Sequence, residues 1–253
     1  MMQITFLGTG TSTGIPQIGC TCPVCTSTDP KDNRLRTSVV VSVNGKNILI
    51  DCGPDFRQQV LRAGIGRIDA VLITHIHYDH TGGIDDLRPF GGKHTLPIYL
   101  EPSVAEGIRT RLPYCFGDHL YPGVPNIRLQ EIGIEPFTIE NIEVTPIRVM
   151  HYKLPILGYR IGGLVYITDA LTIPDEEYAK MKQVDVLVIN ALRKQPHLSH
   201  QTLDEALRVI ERVQPREAYL VHMSHHMGLT AEVEKELPPH VHFAYDGLVV
   251  ESM

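Results

Sequence analysis

Three imidazoles and a carboxylate stand within six residues at His75-Ile76-His77-Tyr78-Asp79-His80, flanked by Thr74 and by Gly82-Gly83. Neutral imidazole is a good ligand for zinc and related divalent ions. Aspartate adds a charged oxygen that can also orient a neighbouring water. In an extended segment His75, His77 and Asp79 would share one side and His80 would turn to the other, so that two adjacent ions could divide the ligands. The cluster is therefore expected to form the floor of a two-metal site. A polar loop with chance histidines is disfavoured, because burying several imidazoles with an aspartate is costly without a metal or polar partners.

The elements that must hold this cluster can be read from local pattern. Residues 68–73 form an apolar, branched run of strand length, which puts the cluster at a strand's carboxyl end, and a helix can begin at Gly82-Gly83. Residues 3–8 read as a first strand. They lead into the glycine- and hydroxyl-rich segment 9–16, whose backbone either approaches a ligand closely or merely connects elements. Residues 37–43 and 46–50 form a hairpin pattern around Asn44-Gly45, and the second strand ends at Asp51-Cys52-Gly53. A helix is expected over 54–63 with Gly64 as its stop. A strand at 97–100 and a helix at 102–111 precede residues 112–125, which contain Cys115, His119 and Tyr121 and form either a loop over the site or a connector. Further strands at 142–149, 157–161, 164–168, 184–189 and 217–221 lead to His151, Asp169, the segment 190–200 and His222. Helices are expected at 175–182 and 202–213. The second has an inner face of Leu203, Ala206, Leu207, Ile210 and Val213 and an N-terminus whose amides suit an anion. Residues 242–245 and 248–251 suggest a closing hairpin over Asp246-Gly247.

A second cluster, Cys20-Thr21-Cys22-Pro23-Val24-Cys25, offers three thiolates and lacks a fourth donor nearby. A tetrahedral zinc would take one more ligand from afar, with His225 and His226 the candidates; a redox pair or free thiols are the alternatives. Five cysteines, three of them crowded together, do not make a disulfide framework. With 253 residues, 43% of them hydrophobic, the chain is read as one domain over 1–253. A net charge of −6 disfavours sequence-independent nucleic-acid binding, although a local basic groove stays open. No run approaches the length of a membrane span and the opening lacks signal-peptide features, so no membrane partner is expected and the cytoplasm is the expected compartment. Nothing in the sequence fixes the oligomeric state, and a homodimer is compatible with it.

With its ligand positions filled at the spacing His-x-His-x-Asp-His, the segment 75–80 resembles the signature of the metallo-β-lactamase superfamily. That resemblance implies an α/β fold, a four-layer αβ/βα sandwich with a dinuclear site along one edge of its two sheets. It implies that His151 completes the ligands of a first ion with His75 and His77, and that Asp169 bridges to a second ion held by Asp79, His80 and His222. Asp51 would then support the metals from nearby, or else cap a strand end. Ala170 stands where most relatives carry Thr or Ser, which removes a hydroxyl but no ligand. Two ions roughly 3.5–4 Å apart can hold a bridging hydroxide and stabilise the attacking and leaving oxygens of a displacement.

Gly8-Thr9-Gly10, Gly14-Ile15-Pro16, the run 19–25 and His222-Met223-Ser224-His225 resemble, over nearly the whole chain, the phosphodiesterase group linked with carbon–phosphorus lyase pathways. The resemblance implies a structural zinc on Cys20, Cys22, Cys25 and His225. It also implies His200 as general acid, with His197 as its rival because the register through 193–196 is open; Asp79, whose carboxylate can orient water, is the other catalytic candidate. The implied substrate is a small or cyclic phosphodiester of ribose or a nucleotide, and the implied active-site ions are manganese or zinc, which these ligands do not distinguish. A transfer-RNA 3′-processing endonuclease is the nearest rival, sharing the opening strand and the main motif, although no protruding arm is evident. A glyoxalase II type of thioesterase would need an added helical domain, and a flavin-linked di-iron enzyme would replace His77 by glutamate. A non-catalytic metal-binding module of the same fold should lack ligands, yet all seven positions are filled. His94, His119, His226, His240 and His242 are assigned surface or structural places.

Overall fold

The computed structural model describes residues 2–92, 94–116 and 123–252. Asn44 and Gly45 both adopt positive φ, 51° and 72°, the geometry a two-residue hairpin turn demands, and they join β2 (Ser38–Val43) to β3 (Lys46–Ile50) behind β1 (Met2–Gly8). Beyond β3 the chain continues through α1 (Phe56–Ala63), β4 (Ala70–Leu72), α2 (Tyr78–Thr81), β5 (Leu96–Leu100), α3 (Pro102–Arg111) and β6 (Ile127–Glu131). The second half runs β7 (Phe137–Ile139), β8 (Ile142–His151), β9 (Leu154–Ile161), β10 (Leu164–Tyr166), β11 (Val186–Asn190), α4 (Leu203–Val213), β12 (Glu217–Val221), β13 (Val241–Phe243) and β14 (Val249–Ser252).

These strands make two seven-stranded sheets, ordered β14-β1-β2-β3-β4-β5-β6 and β13-β12-β11-β10-β9-β8-β7. The first sheet is antiparallel from β14 through β3 and parallel from β3 to β6, and the second is antiparallel from β7 through β10 and parallel from β10 to β13. The period-two alternation of strand side chains divides the core into layers. Val39, Val41, Ile48 and Ile50 point between the sheets to meet Leu157, Tyr159, Val186 and Val188. Their neighbours Val40 and Leu49 face outward onto Phe56 and Val60 of α1 and Val104 and Ile108 of α3. On the far side Leu187, Ile189 and Leu220 carry Leu203, Ala206, Val209, Ile210 and Val213 of α4. The expected four-layer sandwich is the observed one. Leu207 lies at the margin of that contact, and Val209 fills the inner face of α4 beside the four expected residues.

Two expectations change. Residues 242–251 do not close a hairpin: β13 pairs in parallel with β12 in one sheet and β14 pairs antiparallel with β1 in the other. Each strand satisfies an open edge of a different sheet. The turn between them is fixed by Leu248 N to Tyr245 O (3.0 Å) and by Phe6, whose O and N meet Gly247 N and Leu248 O. The helical segment at 175–182 is a 3₁₀ helix, Asp175–Met181. Among the described residues no helix is long and apolar enough to cross a membrane.

Candidate metal centre

The carboxyl ends of β3, β4, β8, β10 and β12 open onto one rim, and all the expected ligands stand there. A 3₁₀ helix, Ile84–Phe90, does follow Gly82-Gly83, but the motif itself already holds a four-residue helix from Tyr78. Successive residues are therefore about 100° apart instead of 180°, so Asp79 and His80 both turn inward and His80 does not face away. His80 Nε2 is 3.2 Å from Asp79 Oδ2 and 3.2 Å from Asp169 Oδ2. This tight turn depends on glycine: a Cβ on Gly53 would strike Asp79 O, and one on Gly83 would strike Gly53 O. Cys52 stitches the two loops together, donating to His80 O (2.8 Å) and accepting from Gly83 N (2.9 Å).

Asp79, His80, Asp169 and His222 each bring one ligand atom within 4.8 Å of the others. His222 Nε2 lies 3.2 Å from Asp169 Oδ1 and 3.5 Å from Asp79 Oδ2. His75, His77 and His151 gather beside this set, with ring centroids 4.6, 5.1 and 5.7 Å apart, and His75 Nε2 lies 3.1 Å from His77 Nδ1. His77 is solvent-exposed at the mouth while the other ligands are buried. Asp51, Asp169 and His222 all hold left-handed backbone, with φ of 63°, 58° and 58°.

Second-nitrogen contacts fix the rings. His80 Nδ1 donates to Asp51 Oδ2 at 2.7 Å, and His151 Nδ1 donates to Asp169 O at 2.8 Å. Thr74 Oγ1 donates to Asp51 and lies 2.9 Å from His75 Nδ1, which fits a proton on that nitrogen. Each of these rings thus turns its Nε2 toward the centre. Asp51 anchors one histidine of each expected ion, the supporting place the sequence suggested for it. Burial raises the Asp51 pKa against the pull of His80, and burial pushes His75 well below its ordinary value. Burial also works to neutralise His80, yet Asp169, Asp51 and Asp79 hold its pKa well above the usual.

His80 Nε2, both ring nitrogens of His222 and Nδ1 of His200 are buried with no hydrogen-bond partner. Buried polar atoms left unpaired are costly. Imidazole nitrogens facing two carboxylates are the donor set a divalent cation satisfies, so these residues fit such an ion.

Of the two rival histidines, His200 is the one against the ligands. Its Nδ1 is 3.7 Å from Asp169 Oδ1, and its ring lies 4.6 Å from that of His151 and 4.9 Å from that of His222. Burial, opposed by Asp169, pushes its pKa down to about 3. His197 sits one ring further out, 5.1 Å from His200, and accepts from Ser199 N.

The glycine-rich loop after β1 serves the chain itself. Thr11 N donates to Met223 O (3.0 Å) and Met223 N to Thr9 O (3.2 Å), so the loop braces the residue after His222. A Cβ on Gly10 would press on Arg34. The N-terminus of α4 is capped from within: Thr202 and Glu205 form a capping box, and Leu203 N donates to Arg193 O.

At the second cluster, Cys20 Sγ and Cys22 Sγ are each 3.3 Å from His225 Nδ1. These atoms and Cys25 Sγ lie within 4.8 Å of one another, a donor set that suits tetrahedral zinc. His226 is exposed, with its ring 4.1 Å from that of His225. His119 and Tyr121, in the loop expected over the site, lie outside the described residues. Thr168, which no motif singles out, donates its hydroxyl to Asp169 Oδ2 at 2.6 Å. It supplies from the preceding residue the hydroxyl that Ala170 lacks.

Residues 46–223 match the family described as Beta-lactamase superfamily domain. A solved structure of a new diphosphatase from the PhnP family superposes with a TM-score of 0.94 at 36% identity, covering 100% of this chain and 98% of that one. An octanoyltransferase of Porphyromonas gingivalis is 48% identical over 250 residues, which are 98% of this chain and 51% of that protein. A ribonuclease Z of Bradyrhizobium diazoefficiens is 38% identical over 89 residues, 34% of this chain and 24% of that protein. The chain therefore spans about half the length of the first curated relative and about a quarter of the other.

Proposed function

Since this chain belongs to the metallo-β-lactamase superfamily and stands close to its PhnP family, we propose that it is a dinuclear metal-dependent phosphodiesterase of small or cyclic phosphodiesters. The observation that carries this reading is the set of unpartnered nitrogens on His80 and His222 facing Asp79 and Asp169.

His75, His77, His151 and Asp169 would hold one manganese or zinc ion, and Asp79, His80, His222 and Asp169 the other. When bound, the pair supplies Lewis acidity: it activates the attacking water and offsets phosphoryl charge. Asp79 accepts from that water and orients it. His200, packed against Asp169, would donate a proton to the departing alkoxide, which requires the bound anionic diester to raise its pKa from about 3. Cys20, Cys22, Cys25 and His225 would hold a zinc that fixes the loop.

A 3′-processing nuclease is the second reading, supported by the partial likeness to ribonuclease Z. The octanoyltransferase name belongs to a protein twice as long, so it need not describe the shared half. Metal analysis joined to a turnover panel separates these. The expected result is two catalytic ions and one structural zinc per chain, with cleavage of bis(p-nitrophenyl) phosphate and of cyclic nucleotides. Preference for precursor transfer RNA, a thioester or an octanoyl donor would overturn the ranking. Binding without turnover at any metal loading would leave a non-catalytic module.

A further inference from the structure

Asp169 holds a left-handed backbone, and the peptide that follows must be fixed for its carboxylate to face both halves of the centre. Ala170 has no polar side chain to do this, and a single buried amide does it instead. Asn190, the last residue of β11, accepts from Ala170 N at 2.8 Å through Oδ1 and donates to Ala170 O at 2.9 Å through Nδ2. It is fully buried, and its backbone pairs with Val221, the residue before His222.

Ala170 O has a second donor, Gln201 N at 2.9 Å, which follows His200. The carboxylate expected to bridge the ions and the histidine expected to protonate the leaving group are thus tied to one carbonyl, whose direction Asn190 sets. The structure assigns Asn190, we propose, as a positioning residue that fixes the spacing of Asp169 and His200 and through it the delivery of the proton. This rests on the phosphodiesterase reading above.

The substitution Asn190→Asp keeps an acceptor for Ala170 N but puts a carboxylate oxygen against Ala170 O, so the tie to Gln201 breaks while side-chain volume is preserved. Turnover of a diester with an alkyl leaving group, which needs a proton, should fall on the order of 10- to 100-fold. Turnover of bis(p-nitrophenyl) phosphate, whose leaving group departs without a proton, should fall less than about threefold. Two catalytic ions should remain bound, and in the metal-free protein the Gln201 amide should exchange its hydrogen faster.

Thr168→Val is the control. It loosens Asp169 without touching Ala170 O and should lower both substrates alike. If Asn190→Asp fails to fold, Asn190→Ser is read the same way. Equal loss on both leaving groups, or an unchanged exchange rate at Gln201, overturns the assignment. If the unaltered protein cleaves neither diester, the functional reading falls first, and the exchange rate alone still decides whether Asn190 sets this tie.

Discussion

The strand-end centre and the cysteine cluster are both candidate metal sites, and they are built in opposite ways. The first sits where β4, β8 and β12 end. His75, His80 and His151 are each braced by a protein contact on the ring nitrogen facing away from the centre. The second hangs on residues 9–37, a stretch whose regular structure is one three-residue turn, Pro30–Asp32, and its cysteines are partly exposed. One site is shaped by the sheets before any ion arrives. The other gathers its thiols on a stretch tied to the body by side chains such as Asp32, which accepts from Thr230 N, and not by strand ends. Location in the fold therefore decides what a lost ligand damages: chemistry in the first case, local structure in the second.

The sharpest test of that contrast is His80→Ala or His222→Ala. Either should remove one ion and lower turnover by about 10³-fold or more, beyond the usual cost of losing one charge-stabilising donor. The melting temperature should move by less than about 4 °C. A collapse of the fold would break the distinction. Asp51→Asn comes next, with an expected loss of about 10- to 100-fold in affinity for both catalytic ions, since Asp51 reaches His80 directly and His75 through Thr74. Chelator competition measures this, and weakening of a single ion would refute the shared anchor.

Cys22→Ser should release the third ion and lower the melting temperature by roughly 4–8 °C, equivalent to about 2 kcal/mol. Turnover per folded molecule should be retained. A parallel fall of both quantities would merge the two sites. The smallest expected effect is acid sensitivity of the cysteine-bearing stretch in metal-free protein. Burial would raise the Asp32 pKa, but Ser27 and Thr230 outweigh it and hold the carboxyl below its ordinary value. Stability from this group is therefore present above the unfolded pKa, about 4, and is lost as pH falls through the lower folded value. Asp32→Asn should flatten that dependence in a pH series of thermal melts.

What the sequence disclosed follows the range of the interaction. The hairpin at Asn44-Gly45 and the spacing 75–80 are local, and both could be read directly. The short helix α2 inside the motif could not, because four residues are too few to show a helical period. Part of its cause, the space left at Gly53, comes from a loop about 25 residues away, while Gly83 lies just beyond the helix itself. The destinations of β13 and β14 were hidden for a similar reason: short apolar runs do not say which sheet has an open edge. Asn190 and Thr168 sit at the ends of strand-like runs, where a polar residue looks like ordinary punctuation. Their partners, Ala170 and Asp169, become evident only when the strand ends are brought to one rim.

The left-handed backbone at Asp51, Asp169 and His222 sets this chain's heat resistance against its chemistry. Each position would be more relaxed by roughly 1–2 kcal/mol with glycine, yet glycine brings neither carboxylate nor imidazole. Breeding variants for survival on heating alone should therefore drift toward glycine at His222, whose ring nitrogens bond nothing among the described residues, yielding sturdier but inert molecules.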